Sequence, residues 1–411
     1  MHAGDSVSGA WWNEFRQGWT VLLAATVGAA LSASSFASFT LGFFMPRLQA
    51  EYGWDRSAIG AAASAFLMGL LVLMPLAGRF ADRWGARRVA LGSIVIAALT
   101  LAAASQAITS LWSLYAAYAA LAVGGAGTSF VVYSRAVNSW FVRSRGLALG
   151  IMIAGTGIST AVMPFLLPPI IAAYGWRSGY LLLALAVLVA LVAVVPLLRE
   201  RTVATQDVRP AEGMTMREIR RTPAFWTLAF AILCISPVFA GVTIHLAPAY
   251  TDMGATPLQI QAAVSAFGIS MMIARPLIGL ALDRFPAPLV AATALMAPAI
   301  TLALAGRSGP EFAVVVGVAL GIGLSAESDM MAYIVSRYFG LKAYSEAYGW
   351  LYSFATFGFA LGPIMAGWVY EAFGDYDVGL MTAAGLCVLG ALAFLSLTLR
   401  GPRAHATAVV G

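Results

Sequence analysis

Apolar residues fall in long blocks along the whole chain, and each block is separated from the next by a short polar turn. A block runs for about 20 residues or more, the length that an α-helix needs to cross about 30 Å of hydrocarbon. Because backbone groups in lipid must pair within their own segment, these blocks are predicted to be helices. The pattern predicts twelve spans, at residues 19–44, 57–80, 89–108, 111–138, 146–170, 178–198, 224–250, 258–282, 287–306, 312–338, 343–370 and 377–399.

The composition supports a membrane protein, with 61% hydrophobic and only 10% charged residues, whereas a soluble domain carries about 25% charged residues. The first apolar block follows a Trp-rich amphipathic stretch around Trp11 and Trp12 and shows no small-residue cleavage site. It is therefore predicted to be a retained helix and not a signal peptide. Cys234 and Cys387 lie in apolar blocks without CxxC spacing or a His cluster, so neither a metal site nor a cofactor is predicted.

The net charge of +6 is spread over the loops between the blocks. If both termini face the cytoplasm, most of the 24 basic residues lie in cytoplasmic loops and tails, and Arg47, Arg56, Arg177 and Arg307 lie on the other side. This asymmetry follows the positive-inside rule. It predicts a multi-pass protein of the plasma (inner) membrane with both termini cytoplasmic, and it gives no support to nucleic-acid binding.

The longest polar interruption, residues 199–222, is predicted to be a cytoplasmic linker. It separates an N-terminal six-helix bundle, 1–198, from a C-terminal six-helix bundle with a short cytoplasmic tail, 223–411. The motif P-L-x-G-x-x-x-D-R occurs at 75–83 and again at 276–284, so the two halves look like one duplicated unit. Parallel repeats of this kind are typical of transporters whose substrate site lies near the bilayer midplane.

The loop at residues 78–88 reads G-x-x-x-D-R-x-G-x-R-R, and it resembles the signature of the major facilitator superfamily. The resemblance implies an all-α membrane fold of 12 transmembrane helices in two pseudo-symmetric six-helix bundles. It also implies a motif with a gating or structural role. The residues of that motif and of its repeat are Gly78, Asp82, Arg83, Gly85, Arg88, Asp283 and Arg284.

A finer resemblance concerns three other segments. The stretch at 140–150, the tripeptide at 274–276 and the run at 336–340 are similar to motifs of the monocarboxylate transporter and oxalate/formate antiporter families. The resemblance implies transport of a small organic anion, with the arginine at 275 as the anion contact.

The chain departs from those families at three places. Met271 stands where monocarboxylate transporters carry an acidic residue, four positions before Arg275. No acidic-Gly-aromatic motif is evident around residues 17–19, and the segment 343–370 lacks the second lysine of the oxalate exchanger.

Arg275 is the leading candidate for a substrate-binding residue. A charge at the centre of a membrane helix costs about 2.5–3.5 kcal/mol on insertion scales, and the repeat counterpart of Arg275 is the apolar Met74. A guanidinium can hold a carboxylate through two parallel hydrogen bonds. The alternative is a structural ion pair with the helix predicted at 312–338.

Glu327 and Asp329 are predicted at about the same membrane depth as Arg275. Two residues on a helix are about 200° apart, so only one of the carboxylates can face Arg275, and the other meets a neighbouring helix. Which one does so is left open. Both are candidates for carrying a coupling proton, and a purely structural pair is the alternative.

Several further intramembrane residues are candidates with open alternatives. Arg135 either forms a second anion contact or extends towards the inner surface. His245, Tyr118, Tyr133 and Tyr352 are predicted to contact substrate, although the histidine can equally lie at a wet interface and aromatic residues are common in any such bundle.

Taken together, these features predict a secondary active transporter of a small organic anion, most simply a monocarboxylate. It would work by alternating access, as a proton symporter or an anion exchanger, with the lipid bilayer as its surroundings. Efflux of drug-like or amphipathic compounds is the alternative. An enzyme is not predicted, because the sequence contains no HExxH, GxSxG or GxxxxGK[ST] motif.

Overall fold

The computed structural model describes residues 3–200, 213–373 and 376–398, and helices make up nearly all of this part of the chain. One isolated antiparallel bridge joins Gly213 and Gly340, and a short 3-10 helix lies at Pro310–Phe312. The α-helices are α1 Ala3–Ala30, α2 Ala33–Phe39, α3 Leu41–Tyr52, α4 Arg56–Trp84, α5 Ala86–Ala107, α6 Leu111–Gly127, α7 Phe130–Trp140, α8 Arg145–Tyr174, α9 Trp176–Leu197, α10 Met216–Ile219, α11 Pro223–Asp252, α12 Pro257–Arg284, α13 Ala287–Ala305, α14 Ala313–Tyr338, α15 Tyr344–Phe373 and α16 Asp377–Ser396.

The protein is an all-α membrane protein, as the apolar blocks predict. Ten helical stretches among the described residues are long and apolar enough to cross a membrane. The twelve predicted spans correspond to α1–α3 taken together, α4, α5, α6 with α7, α8, α9, and then α11 to α16 one by one.

The first span is not the continuous helix expected over 19–44. It is interrupted after α1 and again at Thr40. The hydroxyl of Ser32 accepts the backbone N–H of Ser35 and so begins α2. The Thr40 hydroxyl donates 2.7 Å to the carbonyl of Phe36. Serine and threonine hydroxyls of this kind offer the backbone partners other than the regular helix ladder.

The span expected over 111–138 is likewise divided, between α6 and α7, at Thr128 and Ser129. The Thr128 hydroxyl donates 3.0 Å to the carbonyl of Gly124 and accepts the backbone N–H of Ala33 at 3.2 Å. The hydroxyl of Ser34 donates 2.8 Å to a carbonyl of the same turn. The two interruptions therefore satisfy each other's backbone groups.

The chain forms two compact units. The first comprises Met1–Glu212 together with Leu341–Trp350, and the second comprises Gly213–Gly340 with Leu351–Gly411. Of the linker predicted at 199–222, residues 201–212 lie outside the described part, and α10 lies within its second half.

The packing inside each unit repeats the same scheme. In the first unit α4 packs on α6, and α5 packs on α6 and α9. In the second unit α12 packs on α14, and α13 packs on α14 and α16. These are equivalent pairs when the second half is aligned on the first by its repeated motif, so the duplication predicted from sequence is also present in the packing.

Candidate functional site

A buried ion pair lies in the second unit, between α12 and α14. Nη1 of Arg275 is 3.2 Å from Oδ1 of Asp329. The two residues are only 8% and 1% exposed. The two helices approach closely here because Gly321 of α14 has no side chain. A Cβ at this position would lie 2.5 Å from the backbone carbonyl oxygen of Phe267 on α12.

The other intramembrane carboxylate of α14 faces a different helix. Glu327 is 1% exposed and accepts a hydrogen bond from the hydroxyl of Ser236 on α11. The orientation left open by the two-residue spacing is thus settled: Asp329 faces Arg275, and Glu327 faces α11.

Both carboxylates are only partly satisfied. Oδ2 of Asp329 and Oε2 of Glu327 are buried and have no hydrogen-bond partner among the described residues. Since buried polar atoms in native proteins are nearly always paired, each of these two oxygens has the capacity to accept one more hydrogen bond.

Two further helices contribute side chains to this cluster. Tyr352 of α15 lies within electrostatic range of both Glu327 and Arg275. Cys387 of α16 is within range of Glu327 and is fully buried. Side chains of α11, α12, α14, α15 and α16 therefore converge around Arg275 and Glu327, and we call this set the second-unit cluster.

A different charged group lies in the first unit, where α4 meets the first turn of α15. Oδ1 of Asp82 accepts the backbone N–H of Ser345 at 3.1 Å, and Oδ2 accepts that of Glu346 at 2.9 Å. Nη1 of Arg135 also lies 2.5 Å from Oδ1. The first N–H groups of a helix have no partner within it and carry partial positive charge, so Asp82 satisfies the start of α15.

Gly78 explains how the two helices come so close. A Cβ at this position would overlap the backbone carbonyl of Ser345. One residue further on, Nη2 of Arg79 pairs with Oε1 of Glu346 at 2.6 Å. A glycine and an ion pair thus act together with Asp82 to hold the beginning of α15.

Arg135 lies against two carboxylates of the protein. Besides Asp82, it lies 3.5 Å from Oε2 of Glu200, and it donates 3.1 Å to the carbonyl of Leu341. Glu200 in turn accepts the backbone N–H of Ala86. Asp82, Arg135, Glu200, Arg79 and Glu346 form what we call the first-unit cluster.

Comparison with known proteins identifies the family. The model of the Major Facilitator Superfamily matches residues 27–252 and 246–409. The chain belongs to the Major Facilitator Superfamily. It is therefore an integral membrane transporter of a small molecule, and it is not an enzyme.

The similar proteins carry different cargoes by name. Monocarboxylate transporter 13 of Bos taurus is 24% identical over 92% of this chain and 89% of its own length. The probable nitrate/nitrite transporter NarK2 of Mycobacterium tuberculosis is 25% identical over 84% and 90%. The solved structure of the E. coli fucose:proton symporter FucP is 12% identical, with a TM-score of 0.69 over 92% of this chain and 98% of that one.

The remaining residues of the superfamily motif differ in their surroundings. Arg83 and Arg88 are exposed, and Gly85 has φ +88 at the turn into α5. In the repeated copy, Asp283 is half-buried near the end of α12 and Arg284 is exposed.

The other predicted substrate contacts fall in two places. Tyr118 and Tyr133 are buried in the first unit. The Tyr133 ring packs so closely on Gly28 that a Cβ there would overlap it. His245 lies on α11, and its side chain is outside the described part. Their roles in this transporter stay predictions.

Sequence reasoning missed Glu14. Its carboxylate accepts the backbone N–H groups of Val142, Arg143 and Ser144 at 3.0–3.3 Å and the Ser144 hydroxyl at 2.7 Å. Gly18, one helical turn later, packs on the same loop. No acidic residue stands directly beside Gly18. Glu14, four residues before it, lies on the same helix face, and this spacing in the sequence could have identified Glu14.

Proposed function

We propose that this transporter carries a small monocarboxylate together with a proton, with Arg275 as the anion contact. The observation that carries the proposal is the buried Arg275–Asp329 pair. Its counterpart in the first half, Met74, is buried and apolar, so the repeated fold does not require a cation at this position. An intramembrane charge that folding does not require is a functional candidate.

The chemistry of the cluster suits one carboxylate. A guanidinium offers five N–H donors in a planar fork, and Asp329 uses Nη1. The segment 343–370 contains no lysine or arginine that could hold a second carboxylate. The names of the two relatives support a single planar anion as substrate. A monocarboxylate and nitrate both carry oxygens in one plane that can accept hydrogen bonds from two N–H groups of a guanidinium.

Proton coupling follows from competition for Arg275. A substrate carboxylate that binds the guanidinium displaces Asp329, which is then a buried carboxylate without its cation. Such a group is costly to bury, so Asp329 takes up a proton as the substrate binds. One anion and one proton then enter together, and the charge of the site is unchanged.

Glu327 has the surroundings of a proton carrier. Its hydrogen-bond donor in the structure is the hydroxyl of Ser236, which is neutral. A neutral carboxyl costs much less to bury than a carboxylate that lacks a cation. We assign it the transfer of the proton towards or away from Asp329.

The orientation in the membrane is part of the proposal. The excess of basic residues in alternate loops supports cytoplasmic termini and a position in the plasma (inner) membrane. The two sequence halves, 1–198 and 223–411, are then the bodies that alternate access to the site.

The test is uptake into proteoliposomes. Radiolabelled formate, acetate, lactate, pyruvate and oxalate are offered with and without an inward proton gradient to the parent and to Arg275→Lys, which keeps the charge but loses the fork. The matched control is Arg177→Lys, because Arg177 pairs with Glu51 at 2.9 Å outside the cluster. We expect gradient-stimulated uptake of a monocarboxylate, a decrease of at least tenfold in Arg275→Lys, and no change in the control.

Two results would replace this proposal. Uptake that ignores the proton gradient but responds to an internal anion would make the protein an exchanger. Failure of every carboxylate to enter, or normal uptake by Arg275→Lys, would remove the anion assignment and favour efflux of amphipathic compounds.

A further inference from the structure

A narrow crevice with a cavity volume of about 80 Å³ lies in the second unit, at the end where α11 ends and α16 begins. This volume is smaller than the range of about 300–1,000 Å³ typical of pockets for drug-sized molecules, so the crevice suits a slender group. Its walls come from α11, α15 and α16, and its lining residues carry no charged side chain. It is therefore separate in chemistry from the charged second-unit cluster.

Small residues line the crevice. α11 and α15 meet at Gly241 and Gly362, where a Cβ on Gly241 would lie 2.7 Å from the carbonyl oxygen of Gly362. Ala249, Ala366 and Ala383 line the same crevice. Larger side chains at these positions would fill it.

One buried polar atom lacks a partner in the crevice. Tyr250 lines it and is 2% exposed, and its hydroxyl has no hydrogen-bond partner among the described residues. The hydroxyl of Thr382, by contrast, donates 2.7 Å to the carbonyl of Val378 in its own helix. A ligand with an acceptor oxygen would satisfy Tyr250, as buried hydroxyls normally are satisfied.

The depth of Tyr250 indicates the kind of acceptor. It lies two residues before the end of α11 at Asp252, or about 3 Å along the helix axis. Tyrosine at a helix end is typical of the boundary between hydrocarbon and head groups. Lipid ester carbonyls lie at that boundary, and acyl chains run from it into the hydrocarbon.

The rim of the crevice continues into apolar surface. Met365 of α15 lines the crevice and is exposed. Ile364 and Trp368 of α15 and Met381 of α16 are exposed as well. In a membrane transporter such a surface faces acyl chains.

We propose that this crevice binds one acyl chain of a membrane phospholipid, whose ester carbonyl accepts a hydrogen bond from the hydroxyl of Tyr250. The site is separate from the transport reaction and does not depend on the identity of the transported anion.

The experiment uses the full-length protein in vesicles of phosphatidylethanolamine and phosphatidylglycerol that contain a trace of phosphatidylcholine with a diazirine on its acyl chain. After illumination, labelled peptides are identified by mass spectrometry. A second groove between α11 and α16, at their opposite end and lined by Phe230 and Leu389, gives the reference level for non-specific lipid contact.

Three variants make the result specific. Ala383→Phe fills the crevice, and we expect at least a tenfold decrease in its labelling relative to the reference groove. Tyr250→Phe removes only the hydroxyl, and we expect a decrease of about threefold to tenfold, as for the loss of one hydrogen bond. Tyr133→Phe is the matched control, because its hydroxyl is also buried without a partner among the described residues but lies in the first unit, and labelling should be unchanged.

The proposal is overturned if the crevice is labelled no more than the reference groove, or if Tyr250→Phe is labelled like the parent. Loss of labelling on addition of a water-soluble acid would also overturn it, because the crevice would then belong to the transport pathway. Should Ala383→Phe fail to fold, the Tyr250→Phe comparison still decides the question.

Discussion

The two charged clusters differ in how completely their carboxylates are paired. In the first unit, both oxygens of Asp82 accept hydrogen bonds and Arg135 lies against two carboxylates. In the second unit, Asp329 and Glu327 each keep one buried oxygen without a partner among the described residues. Carboxylates with both oxygens paired hold the backbone in place, whereas partly paired carboxylates can change partners, and the proposed transport mechanism requires the second property.

The largest effect on stability is expected for Arg275→Met. Removing one partner from a buried ion pair leaves the other without its counter-charge and costs about 3–5 kcal/mol. The midpoint of thermal unfolding in detergent should therefore decrease strongly. Arg177→Met is the control, because the pair with Glu51 is nearly 40% exposed and should contribute less than about 1 kcal/mol. Equal stability of Arg275→Met and the parent would show that the pair is not buried as described.

Asp82→Asn should have the next largest effect. Hydrogen bonds to a charged group contribute about 1.5–3 kcal/mol, and Asp82 accepts two of them from the start of α15. We expect a loss of about 2–3 kcal/mol and faster amide hydrogen exchange at Ser345 and Glu346. Asp283→Asn, the same change in the repeated motif, should cost less, and an equal loss from both would contradict the special role of the first copy.

The membrane spans, the duplication and the charged residues of the second-unit cluster could be predicted from sequence. They depend on the length of apolar blocks, on the spacing of a repeated motif and on the cost of charge in lipid. Apolar block lengths predict the spans, and the repeated motif predicts the duplication. The charges at Arg275, Glu327 and Asp329 stand out for the same reason. The orientation of Glu327 towards α11 could not be predicted, since helix rotation depends on packing.

Other features were hidden because they depend on distant partners or on local competition. Asp82 binds backbone groups at 345 and 346, more than 260 positions away. The interruptions at Thr40 and Thr128 arise because hydroxyl groups compete for backbone partners. An apolar block contains no signal strong enough to place such a break.

Gly78→Ala tests the close approach in the first-unit cluster. The added methyl group would overlap the backbone of Ser345, and overpacking of this kind costs about 1–3 kcal/mol. The control is Gly92→Ala on α5, where a Cβ meets nothing within 4 Å. That variant should be neutral or slightly more stable, since alanine favours helix. If Gly78→Ala and Gly92→Ala both unfold at the same temperature as the parent, the close approach at Gly78 is contradicted.

Glu14→Gln should have the smallest effect of the set. The amide keeps an acceptor for the backbone of 142–144 but loses the charge assistance, which is worth about 1 kcal/mol at a helix start. Amide exchange at these residues should become faster, while exchange at 345–346 should not change. Faster exchange at both places would mean that the loop and the first-unit cluster are one cooperative element.

The central claim is that the Arg275–Asp329 pair serves transport and not folding, and the double variant R275M/D329L tests it most directly. Replacing a buried ion pair by apolar side chains is often neutral for stability. The measurement is proton-driven uptake of the transported monocarboxylate into proteoliposomes that contain equal amounts of folded parent or double variant. Our account predicts that the double variant regains most of the stability lost in Arg275→Met but shows no uptake. Uptake at the parent's rate would contradict it.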